Sequence, residues 1–200
     1  MIRADPDTLH RDALARAYAR TSIEHNLDEP PDPGAMDAET DPDAGSDAFW
    51  HAHRVSDLVW LMRRAMAACL LELGADDWPD EASFGVLFAS DTEIAELNGR
   101  WRGKPSPTNV LSWPAESPSP GDAPPPHWGE LAFGYGVCAR EAEERGWAFD
   151  AYLAHLTVHG LLHCLGYDHE EDGEADVMES AEGRILARLG LPDPYADEGA

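Results

Sequence analysis

An α+β domain, one small β-sheet packed against helices, is the fold class this 200-residue sequence predicts. Two observations carry it. Short alternating apolar runs are grouped early and long runs of helical periodicity late, and a hydrophobic content of 43% is enough to bury one core. In order, residues 1–48 read as an acidic N-terminal extension and linker, partly disordered. Within it residues 9–20 favour a short helix, Thr21–Leu27 offers one edge strand, and residues 26–48 hold eight acids and no base. The domain proper is placed at 49–195, with 196–200 as a tail. Val55–Leu73 is a helix, with Val55, Leu58, Met62, Ala65 and Cys69 on one face and Gly74 to end it. Ser83–Ala89 alternates as a half-buried strand. Ser90 followed by Glu93 is a capping box for a short helix that Gly99 is expected to close. Asn109–Trp113 and Gly129–Tyr135 are further strands, separated by a loop over 114–126 that contains six prolines. Helices then follow at Val137–Arg145, Asp150–Leu165 and about Gly173–Leu189.

Charge narrows the function classes. Fourteen Lys and Arg against 39 Asp and Glu give −25 at pH 7, spread along the chain. Such a surface repels nucleic acid in general and disfavours anionic membranes, although a salt-adapted host would explain it equally well. An RNA role therefore has to rest on a local basic patch, and Arg100, Arg102 and Lys104, the only lysine, form the one candidate. The seven tryptophans are scattered and promise no ordered stacking platform. Cys69, Cys138 and Cys164 are odd in number and unpaired in spacing, as expected of reduced thiols in a cytoplasm. No apolar run suits a signal peptide or a membrane span, so no membrane partner is expected.

The informative run is HLTVHGLLHCLGYDH, residues 155–169. His159 and His163 are four apart on a helix, so their imidazoles project from one face a turn apart and can reach one ion. Gly166 can adopt the left-handed conformation that ends the helix, and the returning chain places His169 as a third ligand. Three nitrogens leave a tetrahedral position open, as catalysis at a metal requires. Cys164 faces away. His155, one turn earlier, is read as a hydrogen-bonding or packing residue rather than a fourth ligand. Metalloproteases with H-E-x-x-H-x-x-G-x-x-H share this spacing, but the position of their general-base Glu is Gly160 here. That argues against peptide hydrolysis without forbidding hydrolysis by an ion that acidifies water. Asp168 orients a histidine or caps the turn, Tyr167 stacks on a base or packs beside the helix, and Thr108 and Asn109 receive no role.

The run HGLLHCLGYDH resembles the signature of the YbeY family, bacterial endoribonucleases of ribosomal RNA maturation. LNGRWRGKPSPTNVLSWP (97–114) and VMESAEGRILARLGLPDPY (177–195) resemble further segments of that family, so the likeness spans roughly residues 55–195. Two features depart from its pattern: Gly129-Glu130 where Gly-Asp is usual, and the long proline-rich loop. The resemblance implies a zincin-like single domain with its metal site on a central helix. It implies one divalent ion, usually described as zinc, on His159, His163 and His169. It also implies hydrolysis of RNA phosphodiesters in the 3′-end maturation of small-subunit (16S) rRNA and in ribosome quality control. The family's arginine falls on Arg102, as a catalytic residue beside the three histidines; Arg100 and Lys104 are the further RNA-binding candidates. Ribosomal RNA and small-subunit proteins are the implied partners, and the acidic surface suits an enzyme positioned by basic ribosomal proteins. The competing readings are a metallopeptidase-like hydrolase and a non-catalytic assembly factor that the metal merely stabilises.

Overall fold

The fold is described from a computed structural model that places Ala17, residues 21–25, Trp50, and residues 55–74 and 81–196. Apart from Ala17, the helix expected over 9–20 lies outside the described residues, as do the acidic stretch 26–48 and residues 197–200. The elements run β1 (Thr21–His25), α1 (Val55–Glu72), β2 (Ala82–Ala89), α2 (Asp91–Arg102), β3 (Val110–Pro114), β4 (His127–Gly134), α3 (Tyr135–Arg145), α4 (Phe149–Cys164) and α5 (Asp172–Leu189). The strands form one mixed sheet in the order β1-β2-β4-β3. β1 and β2, and β2 and β4, pair in parallel, while β3 runs antiparallel to β4 and forms the open edge.

Strand alternation divides the apolar residues between two faces. Phe84, Val86, Phe88, Leu131 and Phe133 enter the main core with α1, α4 and α5, whereas Ala89, Leu111 and Ala132 meet Ile94 of α2 in a small second core. The main core also takes in Trp50, whose indole Nε1 donates to Ala89 O at 3.1 Å and whose ring meets Phe88, Tyr135 and Phe149. Helix α4 lies at the centre, in contact with β3, β4, α1, α3 and α5. It is apolar nearly all round, as a buried helix should be. At Gly160 it approaches β4 so closely that a Cβ would stand 2.7 Å from Leu131 Cδ2.

The capping box forms as the sequence dictates: Glu93 N donates to Ser90 Oγ at 3.3 Å and Ser90 N to Glu93 Oε2 at 2.8 Å. The end of that helix differs from expectation. Helix α2 runs through Gly99 to Arg102 and is closed by Gly103, at φ 70°, whose amide and that of Lys104 fold back onto the carbonyls of Gly99 and Asn98. Gly99 serves close approach instead, since a Cβ there would sit 3.2 Å from Pro105 Cβ. Arg100 and Arg102 consequently ride on the last helical turn.

Helix α5 is tied to α1 by one carboxylate. Glu72 accepts from Arg184 Nε at 2.6 Å and from Arg188 Nε at 2.7 Å. Burial alone would raise its carboxyl pKa, but the two guanidinium groups outweigh it and hold the group below its ordinary value. A depressed carboxyl contributes stability above its unfolded-state pKa and loses it as pH falls through the lowered value. Glu72→Gln is therefore expected to lower stability at pH 7 by about 0.5–1 kcal/mol, since Arg184 is half exposed, and to make no difference below that acidic window. Thermal melts of both proteins from pH 7 to pH 2 check the sign. A second expectation concerns the extension. Deleting residues 1–48 removes β1 and bares the β2 edge, so melting temperature should fall, while metal content should persist because the candidate ligands all lie on α4 and the turn after it.

Candidate metal centre

His159, His163 and His169 converge. One ring nitrogen from each lies within 4.8 Å of the others, the arrangement of a group that could hold a metal ion. The first two project from successive turns of α4, with their Nε2 atoms 3.2 Å apart. His169 comes from the turn beyond the helix, which Gly166 makes at φ 84°. A Cβ on Gly166 would also meet Pro118 O at 2.1 Å, so the proline-rich loop presses directly on the turn that delivers the third histidine.

For the two helical rings, partners on the far side fix which nitrogen is offered. His163 Nδ1 lies 3.0 Å from Tyr167 O, an acceptor only, so Nδ1 carries the proton and Nε2 keeps its lone pair. Burial, and then the neighbouring imidazoles of His159 and His169, push the His163 pKa down to about 4, which keeps the ring neutral near pH 7. His159 Nδ1 faces Glu182 Oε2 at 3.3 Å, leaving its Nε2 toward the other rings. Three converging imidazole donors fit a borderline cation such as zinc better than a hard, oxygen-seeking one.

Glu182, fully buried on α5, is the residue that sequence reasoning missed. It bridges His159, His155 Nε2 at 2.6 Å, and the Tyr195 hydroxyl, which donates to Oε2 at 2.9 Å. Burial alone would raise its pKa, yet the contacts with His155 and His159 hold it at about 2, so the carboxylate is ionised. His155 belongs to this support. Its ring packs between Trp147 and Tyr152 and lies outside the group of three. Cys164 is buried, and burial followed by the charge of Glu130 pushes its thiol up to about 12.

A cleft of about 580 Å³ runs along the open edge of β3 and is lined by the three histidines, Arg102, Tyr167, Asp168 and the β3 residues. Arg102 therefore shares the histidines' cleft. Arg100 and Lys104 are exposed but do not line it: Arg100 sits two residues back on α2, about 200° round the helix, and Lys104 lies beyond the Gly103 cap. Asp168 Oδ1 accepts from His169 N at 2.7 Å, which is a turn contact. Tyr167 packs against the main core. Asn109 fastens the start of β3, with Nδ2 donating to Glu141 Oε2 at 2.8 Å and Oδ1 accepting from Val110 N. Thr108 lines the cleft beside it. Two of the tryptophans expected to be scattered, Trp101 and Trp113, meet in this cleft with ring centroids 6.2 Å apart.

The family model described as Endoribonuclease YbeY matches residues 53–190. The chain belongs to the YbeY family. Endoribonuclease YbeY of Jannaschia sp. (strain CCS1) is 49% identical over 148 residues, covering 70% of this chain and 91% of the relative. The Endoribonuclease YbeY of Dinoroseobacter shibae is 44% identical over 179 residues, covering 83% and 94%. The solution structure of TM1509 from Thermotoga maritima aligns with a TM-score of 0.46 at 24% identity, over 74% of this chain and 95% of that one. The α+β domain with a small mixed sheet packed against helices is the fold the sequence implied. No helix among the described residues is long and apolar enough to cross a membrane.

If Glu182 holds the His159 ring, Glu182→Gln should weaken metal retention by about 10–100-fold, the usual cost of losing a ligand's hydrogen-bond partner. Competition against a chelator, with folding followed by circular dichroism, checks this. Unchanged retention in a folded variant would show that the carboxylate only fills the core.

Proposed function

We propose that this chain is a single-strand-specific, metal-dependent endoribonuclease that hydrolyses RNA phosphodiester bonds, with His159, His163 and His169 as ligands to one zinc ion. The observation that carries the reading is one cleft lined by three converging imidazoles and by Arg102, beside a strand edge. Membership of the endoribonuclease YbeY family supports it. An ion on these nitrogens would supply Lewis-acid polarisation of a phosphoryl oxygen and lower the pKa of a water toward about 7.

This chain's own residues do the rest. The Arg102 guanidinium engages two non-bridging oxygens of the scissile phosphate at once and offsets the charge that develops there. Glu182 and the Tyr167 carbonyl hold two imidazoles in the offered tautomer. The edge of β3, which pairs only with β4 among the described strands, presents backbone donors along the path of the strand. Arg100 and Lys104, exposed near the cleft, attract the RNA beyond the reacting phosphate. Peptide hydrolysis is disfavoured because the position of a protease's general base points at Leu131, where a glutamate has no room.

In the cell this activity would act in the cytoplasm on the 3′ end of small-subunit rRNA and in ribosome quality control, with small-subunit proteins as partners. A chain of net charge −25 gains little from long-range attraction to free RNA and more from basic ribosomal proteins. The test is cleavage of a 3′-extended small-subunit rRNA, naked and within a ribosomal particle, by wild type and by His163→Ala, with and without chelator. Cutting should be lost on chelation and fall by more than about 100-fold in the variant, since removing a ligand costs more than removing its outer partner. A metal-loaded wild type that cuts neither substrate would leave the assembly-factor reading in its place.

A further inference from the structure

We propose that Trp101 and Trp113 form a stacking platform that takes an unpaired nucleobase of single-stranded RNA next to the scissile phosphate. This rests on the endoribonuclease reading and deepens it. Trp101, on the last turn of α2, is 63% exposed, an unusual position for the largest apolar side chain in so acidic a protein. Trp113, on the edge strand, is half buried and braced from below by the small core of Ala89, Ile94, Leu111 and Ala132. The two rings meet edge to face, at 6.2 Å and 64°, so the buried indole supports the exposed one. Both line the cleft that holds the three histidines and Arg102.

The occupant follows from chemistry. Arg102 and Trp101 line the same cleft, so a nucleotide whose phosphate meets the guanidinium has its base within the neighbourhood of the indole. Stacking on an indole owes nothing to net charge, whereas phosphate contacts are opposed by the −25 background. Every base has a π-face, so the platform tolerates sequence, and a paired base within a duplex cannot reach it. The arrangement thus selects single strands without reading them.

The test measures anisotropy of a labelled single-stranded RNA oligonucleotide on the full chain carrying His163→Ala to prevent cutting, with Trp101→Ala or Trp101→Phe added. Loss of one stacked base should weaken binding by roughly 5- to 150-fold for Ala, with most of the affinity kept by Phe. The salt dependence should stay unchanged, unlike that of Arg102→Gln, because stacking releases no counterions. An abasic position in the oligonucleotide should cost the parent the same factor and cost Trp101→Ala nothing further. In the active enzyme, Trp101→Ala should raise KM more than it lowers kcat. Equal affinity of Trp101→Ala and its parent, or an equal loss on duplex RNA, overturns the platform even if the enzyme cuts RNA. If the affinities differ as stated while wild type cuts no RNA, the platform stands and the nuclease reading falls.

Discussion

The site depends on the burial of α4. A helix enclosed on nearly every side leaves its polar side chains little water to satisfy them, so a ring nitrogen turned inward is costly unless it finds a protein partner. His155 Nδ1 finds no hydrogen-bond partner among the described residues, whereas the two helical candidate ligands do. His159 finds Glu182 from α5, and His163 finds the carbonyl of Tyr167 just past its own helix end. With those nitrogens taken, the remaining ones can only face the cleft. The offered geometry of His159 and His163 is thus a by-product of satisfying the far side of those two rings. It also explains why a fully buried carboxylate is tolerated, since Glu182 is surrounded by donors from His155, His159 and Tyr195.

The same packing decides what chemistry is absent. Gly160 lets α4 press against Leu131, and any side chain at that position would have to displace a core methyl. The helix–sheet contact and a protease-type glutamate cannot share one position. Hydrolysis here must draw on what the cleft does contain: three imidazoles, the Arg102 guanidinium, the Asp168 and Glu170 carboxylates and an exposed strand edge.

Strong negative charge shapes the remainder. When the whole surface repels polyanions, capture has to come from short-range contacts or from a partner that carries the opposite charge. Arg102 and the paired tryptophans occupy one cleft with the three histidines, so short-range contacts concentrate at the candidate metal centre. The proline-rich loop presses on the Gly166 turn that delivers His169.

What could be read from the sequence was local. The Ser90–Glu93 box, the i, i+4 histidines and the left-handed glycine at 166 each depend on neighbours within a few residues, and the chain's own geometry enforces them. The helix that ends at Gly103 rather than Gly99 shows the limit, because Gly99 answers to Pro105 folding back on it. Glu182 sits in a run of mixed charge that reads as a solvated face, and only the docking of α5 on α1 and α4 turns it inward. Trp101 and Trp113 belong to different elements and become neighbours only when α2 packs across the sheet. The sequence by itself determined the three candidate ligands and the family. Tertiary structure alone decided which carboxylate supports them and which aromatics share their cleft, because those contacts join surfaces that meet only when the helices close on the sheet.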